Sequence, residues 1–182
     1  MRAPRYRSPS KGVVVKNSSM HTATCNFTIT AARTSDIPDV RQLFLAYADS
    51  LDVDLCFQDF ETELATLPGK YAPPDGELLL ARDGQEKPIG CVAMRKLTES
   101  VCEMKRLYVS PAARSTGLGR ALTHAIISAA QTSGYREMWL DSLPTMHEAV
   151  VLYRKSGFSD IAPYYDTPVR GTVFLGKILQ CT

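Results

Sequence analysis

The 182-residue chain reads as an α/β protein (α+β, mixed sheet) with helices on both faces of the sheet. Three observations predict this. The elements follow in the order β-α-α-β-β-β-α-β-α-β-β. Three antiparallel-looking strands in succession are followed by a single β-α-β step, which excludes an all-parallel doubly wound sheet. The helical segments carry apolar stripes of 3.6-residue period, as helices lying on a sheet do.

Phe27 to Arg33 alternates and is rich in β-formers, so it opens the chain's order as a strand. Ser35 offers an N-cap, and Ile37, Val40, Phe44, Tyr47 and Leu51 recur at helical spacing, predicting a helix over 35–51. A second helix is expected from Gln58 to Leu67, stopped by Pro68 and Gly69. Strands follow over 77–82, 88–96 and 101–109, the first two separated by the turn signal Asp83-Gly84. The strongest helix then runs from Leu118, with Leu122, Ala125, Ile126 and Ala129 on one stripe and Gly134 as its stop. A strand over 137–141, a helix over 146–156 ending at Gly157, and two strands near 159–165 and 171–179 complete the chain.

Charge is unevenly placed. Residues 1–26 carry five basic side chains and no acid, leaving 16 basic and 19 acidic residues beyond them, a net of −3. We expect a domain over 27–182 preceded by a basic extension over 1–26, either a flexible tail or a targeting segment of mitochondrial type. Apolar runs such as Leu43 to Ala48 are far short of the ~20 residues that span a bilayer. No membrane association is expected, and a whole-chain net charge of +2 gives no ground for nucleic-acid binding. Five scattered cysteines form no Cys-x-x-Cys pair, which suggests neither a metal site nor a disulfide framework, so they read as reduced thiols in a cytoplasmic protein.

The chemistry is concentrated where the strand at 101–109 hands over to the next helix, in Leu107-Tyr108-Val109 followed by Arg114-Ser115-Thr116-Gly117-Leu118-Gly119-Arg120. Glycines let the backbone approach a ligand, and the first N–H groups of a helix carry about half a positive charge, so this is an anion site suited to a pyrophosphate. A Walker loop is excluded because Arg120-Ala121 follows Gly119, and a dinucleotide fingerprint fails because Leu122 stands at its third glycine.

Arg114-x-x-Gly117-x-Gly119 after Leu107-Tyr108-Val109 resembles the acyl-CoA-binding motif of the GCN5-related N-acetyltransferase (GNAT) family. The resemblance extends over roughly 27–179, with Glu103 to Val109 similar to the family's central strand and Ala149 to Phe158 to its later helix. It implies the acyl-CoA N-acyltransferase fold, a mostly antiparallel sheet splayed at the coenzyme site. It also implies acetyl transfer from acetyl-CoA to a primary amine by direct attack in a ternary complex. The diphosphate would lie on the amides of Ser115 to Arg120. The pantetheine arm would pair with the backbone near Leu107, Tyr108 and Val109.

An alkyl ammonium with a pKa of about 10.4 is neutral in only about one molecule in 10³ at pH 7, so a base helps. Glu103 stands where some members carry a catalytic glutamate; a strand carboxylate paired to a neighbouring Lys or Arg is the other reading. Tyr153 stands where the family carries its general acid; a core tyrosine is the alternative. A backbone N–H near Val109 would receive the charge on the carbonyl oxygen. Met146 departs from the Asn that relatives often carry at that helix start.

The acceptor pocket is expected between the first two helices and the closing strands. The acid-rich stretch 49–63 (Asp49, Asp52, Asp54, Asp59, Glu61, Glu63) either attracts a cationic amine or is a solvated face. Phe57, Phe60 and Tyr71 either wall the pocket or pack the second helix, and Tyr164 and Tyr165 lie within reach of the same cleft. A small-molecule amine is the expected acceptor. An acyl-CoA-binding sensor without turnover, or a peptide N-acetyltransferase, are the alternatives, and a homodimer is left open.

Overall fold

In the computed structural model, residues 26–51 and 59–179 are described. Seven strands form one sheet: β1 (Phe27–Ala31), β2 (Glu77–Asp83), β3 (Pro88–Lys96), β4 (Val101–Val109), β5 (Glu137–Ser142), β6 (Ser159–Asp160) and β7 (Val173–Ile178). Their spatial order is β1-β2-β3-β4-β5-β7-β6. Every neighbouring pair is antiparallel except β4 with β5. The mixed sheet expected from the element order, mostly antiparallel as the resemblance implies, is therefore present.

Among the described residues four helices cover its two faces: α1 (Ile37–Asp49), α2 (Phe60–Thr66), α3 (Leu118–Thr132) and α4 (His147–Lys155). The alternation of each strand divides the core between them. Leu79, Val92, Met94, Cys102, Met104, Met138 and Leu140 pack with Leu118, Leu122 and Ile126 of α3 and Tyr153 of α4. Leu78, Leu80, Cys91, Ala93 and Tyr108 pack on the opposite face with Val40, Leu43 and Phe44 of α1 and Phe60 of α2.

Three expectations are corrected. Ser35 does not cap α1. It lies in a 3₁₀ turn over Thr34–Asp36, and Asp36 accepts the Arg33 N–H at 2.8 Å instead. The helix expected over 58–67 is the shorter Phe60–Thr66, preceded by Asp59 in the left-handed conformation. The strand expected over 159–165 contracts to Ser159–Asp160. Pro163 and Pro168 lack the N–H a ladder requires, and the chain between them loops out with Tyr164 and Tyr165. The boundary proposed at 26/27 falls at the edge of the described residues, and the basic extension lies outside them.

The sheet is interrupted at one seam. β4 and β5 share only the pairs Val101↔Glu137, Cys102↔Met138 and Glu103↔Trp139. Beyond Glu103 the two strands diverge. β5 continues its full length against β7, from Glu137↔Ile178 to Ser142↔Val173. β4 also carries a bulge: Arg106 and Leu107 stand opposite a single residue, Val92, and Arg106 takes φ = 56°.

Candidate active site

The divergence opens a cleft lined on the β4 side by Met104, Lys105, Arg106 and Leu107 and on the β5 side by Leu140, Asp141, Ser142 and Leu143; Tyr47, Met146 and Tyr153 close it. Beyond Glu103, β4 makes no further rung with β5 among the described residues. An extended chain that enters the cleft would lie alongside β4 where β5 has left it, the geometry that strand-like pairing uses.

At the far end of β4 lies the glycine segment. Gly117 caps α3 at φ = 86°, a left-handed conformation that costs any other L-residue energy. Ser115 is also left-handed, at φ = 64°. Ala121 is the first residue of α3 whose N–H finds a carbonyl, that of Gly117 at 3.0 Å. The N–H groups of Leu118, Gly119 and Arg120 precede it and, as at any helix start, have no helical carbonyl to bond. A Cβ on Gly117 would meet nothing within 4 Å; one on Gly119 would come 3.5 Å from Leu152. At Gly117 the segment is thus open to solvent, and no side chain fills the space before the first amides of α3 there.

Arg114 and Arg120 are exposed beside it, and Arg114 Nε lies 3.4 Å from the carbonyl of Val109. The Thr116 hydroxyl donates to Ala113 O at 2.7 Å. Leu118 is buried in the core, and Tyr108 turns its ring toward α1 against Tyr47. If these two residues hold a ligand, they do so through backbone alone.

Tyr153 projects from α4 into the cleft wall, 7% exposed, with its ring edge-on to Phe158. Burial raises its hydroxyl far above the ordinary tyrosine range, and Tyr47 and Asp141 add to the effect. The hydroxyl is therefore protonated at any physiological pH.

Glu103 occupies the last β4–β5 rung and is wholly buried. One oxygen is bonded by Arg95 Nε and the other accepts from the Tyr164 hydroxyl at 2.7 Å. Its side chain does not line the cleft. Lys105 links it there: the ammonium lies 2.8 Å from Asp141 Oδ1 and 3.6 Å from Glu103 Oε1, and so spans the seam. Glu103, Lys105, Trp139 and Asp141 all point to the α1–α2 face. On that face Tyr164 packs on Trp139 and Phe174. Tyr165 packs beside it, its hydroxyl buried without a hydrogen-bond partner among the described residues and pushed up by burial and by the Asp141 charge.

The acidic stretch resolves differently from its reading as a rim. Glu63 is buried and faces inward, bonded by Arg106 at 2.7 and 3.1 Å and by Lys70 at 2.8 Å. Burial raises this carboxyl, but the two cations outweigh it and hold it below the usual carboxylate range. Asp49, Asp59 and Glu61 are exposed, whereas Asp52, Asp54 and Phe57 lie outside the described residues. Phe60 and Tyr71 belong to the core. Sequence reasoning did not single out Lys105 or Arg95. The signal was available: Glu103 and Lys105 are two apart on a strand and so share a face.

The chain matches the model of the acetyltransferase (GNAT) family over residues 38–158. It is 40% identical to an uncharacterized N-acetyltransferase of Schizosaccharomyces pombe, over 82% of this chain and 93% of that one. In fold it is similar to a GNAT-family acetyltransferase of Staphylococcus aureus (TM-score 0.72, 16% identity, 85% of this chain and 99% of that one). It is also similar to a GNAT-superfamily phosphinothricin acetyltransferase of Sinorhizobium meliloti, solved with acetyl-CoA (TM-score 0.63, 19% identity, 85% and 89%). The split sheet and glycine segment thus belong to a member of the GNAT family, and the protein is an acetyl-CoA-dependent acetyltransferase.

Proposed function

We propose that the chain acetylates the primary amine of a small molecule, by direct attack with both substrates bound at once. The observation that carries this reading is the seam. β4 leaves β5 after three rungs, so beyond Glu103 it runs beside one cleft that is walled by Tyr153 and reached from the other face of the sheet through Lys105 and Asp141.

Acetyl-CoA, when bound, supplies the acetyl thioester. The amides from Ser115 to Arg120 would hold its diphosphate, with Arg114 and Arg120 adding charge. The edge near Leu107, Tyr108 and Val109 would hold the extended arm, and a backbone N–H near Val109 would receive charge developing on the carbonyl oxygen. Tyr153 keeps its proton until the departing sulfur takes it. Glu103, bonded on both oxygens and without exposed surface, accepts the amine's proton through a water rather than by direct contact.

The test combines calorimetry with CoA and a thiol-release assay with acetyl-CoA over a panel of small amines and N-terminal peptides. Submicromolar to micromolar CoA binding with turnover of small amines supports the reading. Turnover of peptides alone moves the acceptor to protein, and absence of CoA binding by folded protein overturns the donor site.

A further inference from the structure

The α1–α2 face next to the seam shows an imbalance. The three carboxylates set into it are already matched: Glu103 by Arg95 and Lys105, Asp141 by Lys105, Glu63 by Arg106 and Lys70. At these three sites an acceptor's positive charge meets a carboxylate already bonded to a cation, whereas Asp49, Asp59 and Glu61 lie exposed at the ends of α1 and α2. Arg95 is the reverse case. It commits only Nε, to Glu103, and its two terminal NH₂ groups have no partner among the described residues. Its side chain is 32% exposed, whereas the Glu103 side chain that anchors it is completely buried. The result is a guanidinium fixed at one nitrogen with its forked edge turned outward, the arrangement that a planar carboxylate meets with two parallel hydrogen bonds.

The fork belongs to the reaction site. Arg95 and Glu103 are cross-strand partners, and Glu103 is the rung at which the seam opens. The same carboxylate that holds Arg95 lies 3.6 Å from Lys105, which lines the cleft. The fork and the cleft mouth are thus separated by one carboxyl group, a span that a short amine bearing a carboxylate can bridge.

Resting on the proposed N-acetyltransfer to a small amine, we infer that the acceptor is an amino acid or a close analogue, its carboxylate held by the outward fork of Arg95 while its amine enters the cleft. Anchoring precedes chemistry: the amine nitrogen forms the new bond to the acetyl carbon, the carbon–sulfur bond breaks, and the nitrogen's proton leaves as CoA departs as a thiol.

The experiment compares glycine, β-alanine, γ-aminobutyrate and glutamate, each beside the carboxamide of the same skeleton, in thiol-release assays with saturating acetyl-CoA. For at least one pair, kcat/KM for the acid should exceed that for the amide by about 10- to 100-fold, as expected of charge-assisted bidentate bonds. In Arg95→Lys, which keeps the charge on Glu103 but lacks the fork, that ratio should collapse to within a few fold, while calorimetry finds CoA affinity unchanged. Equal use of acid and amide by the wild type, preference for diamines, or survival of the ratio in the Lys variant overturns the inference with the acetyltransfer intact. CoA binding without turnover of any amine overturns both readings.

Discussion

Tyr153 separates a packing role from a chemical one. Its ring would sit equally well in the core as phenylalanine, so Tyr153→Phe tests the hydroxyl alone. If that hydroxyl protonates the leaving thiolate, kcat should fall about 10²- to 10⁴-fold with the KM for acetyl-CoA little altered. Because burial holds the tyrosine protonated, the wild-type rate should show no loss from tyrosine ionisation as pH rises to 9. Unchanged kcat in the variant would return Tyr153 to the core. Its position was legible beforehand, since a helix ending in Gly157-Phe158 places residue 153 on the apolar side. The surroundings of Glu103 were not: Tyr164 arrives from a loop 61 residues away, and no spacing announces such a contact.

The start of α3 was the most legible element, because its geometry is local. Left-handed backbone at Gly117, a free first turn and a stop near Gly134 are all written in consecutive residues. The two glycines differ, and a paired substitution shows how. Gly117→Ala should cost about 1–2 kcal/mol in urea unfolding, because the strain is torsional and lies in the backbone whatever room surrounds it. Gly119→Ala should leave stability nearly intact, since its methyl makes ordinary contact with Leu152. Both should weaken CoA binding measured by calorimetry, the second by placing a methyl among the amides. The β4 bulge was less legible than the helix. Its extra residue is defined only by what stands opposite, and Arg106 carries no local mark of a left-handed turn. The short β6 was misjudged for a readable reason, the two prolines that follow it.

For the molecule as a whole, the buried Glu63–Arg106 pair ties α2 to the central strand. Glu63→Ala should cost about 3–5 kcal/mol, because it breaks a buried ion pair by removing one partner. The same pair sets a pH dependence. A carboxyl held low in the fold binds its proton more readily in the unfolded chain. Stability should thus be complete above the unfolded value of about 4.3 and fall as pH drops below it. Urea midpoints at pH 7 and pH 3.5 should show that Glu63→Gln loses less on acidification than the wild type does.

The three-rung junction between β4 and β5 has a consequence for how the molecule is assembled. Four strands stand on one side of it and three on the other, joined by a lysine strap at Lys105 and by the helices behind. In the proposed binding mode the coenzyme's arm lies where a neighbouring strand would otherwise run. The enzyme would then complete its own architecture with a borrowed part, once per catalytic cycle, and give that part back with the product.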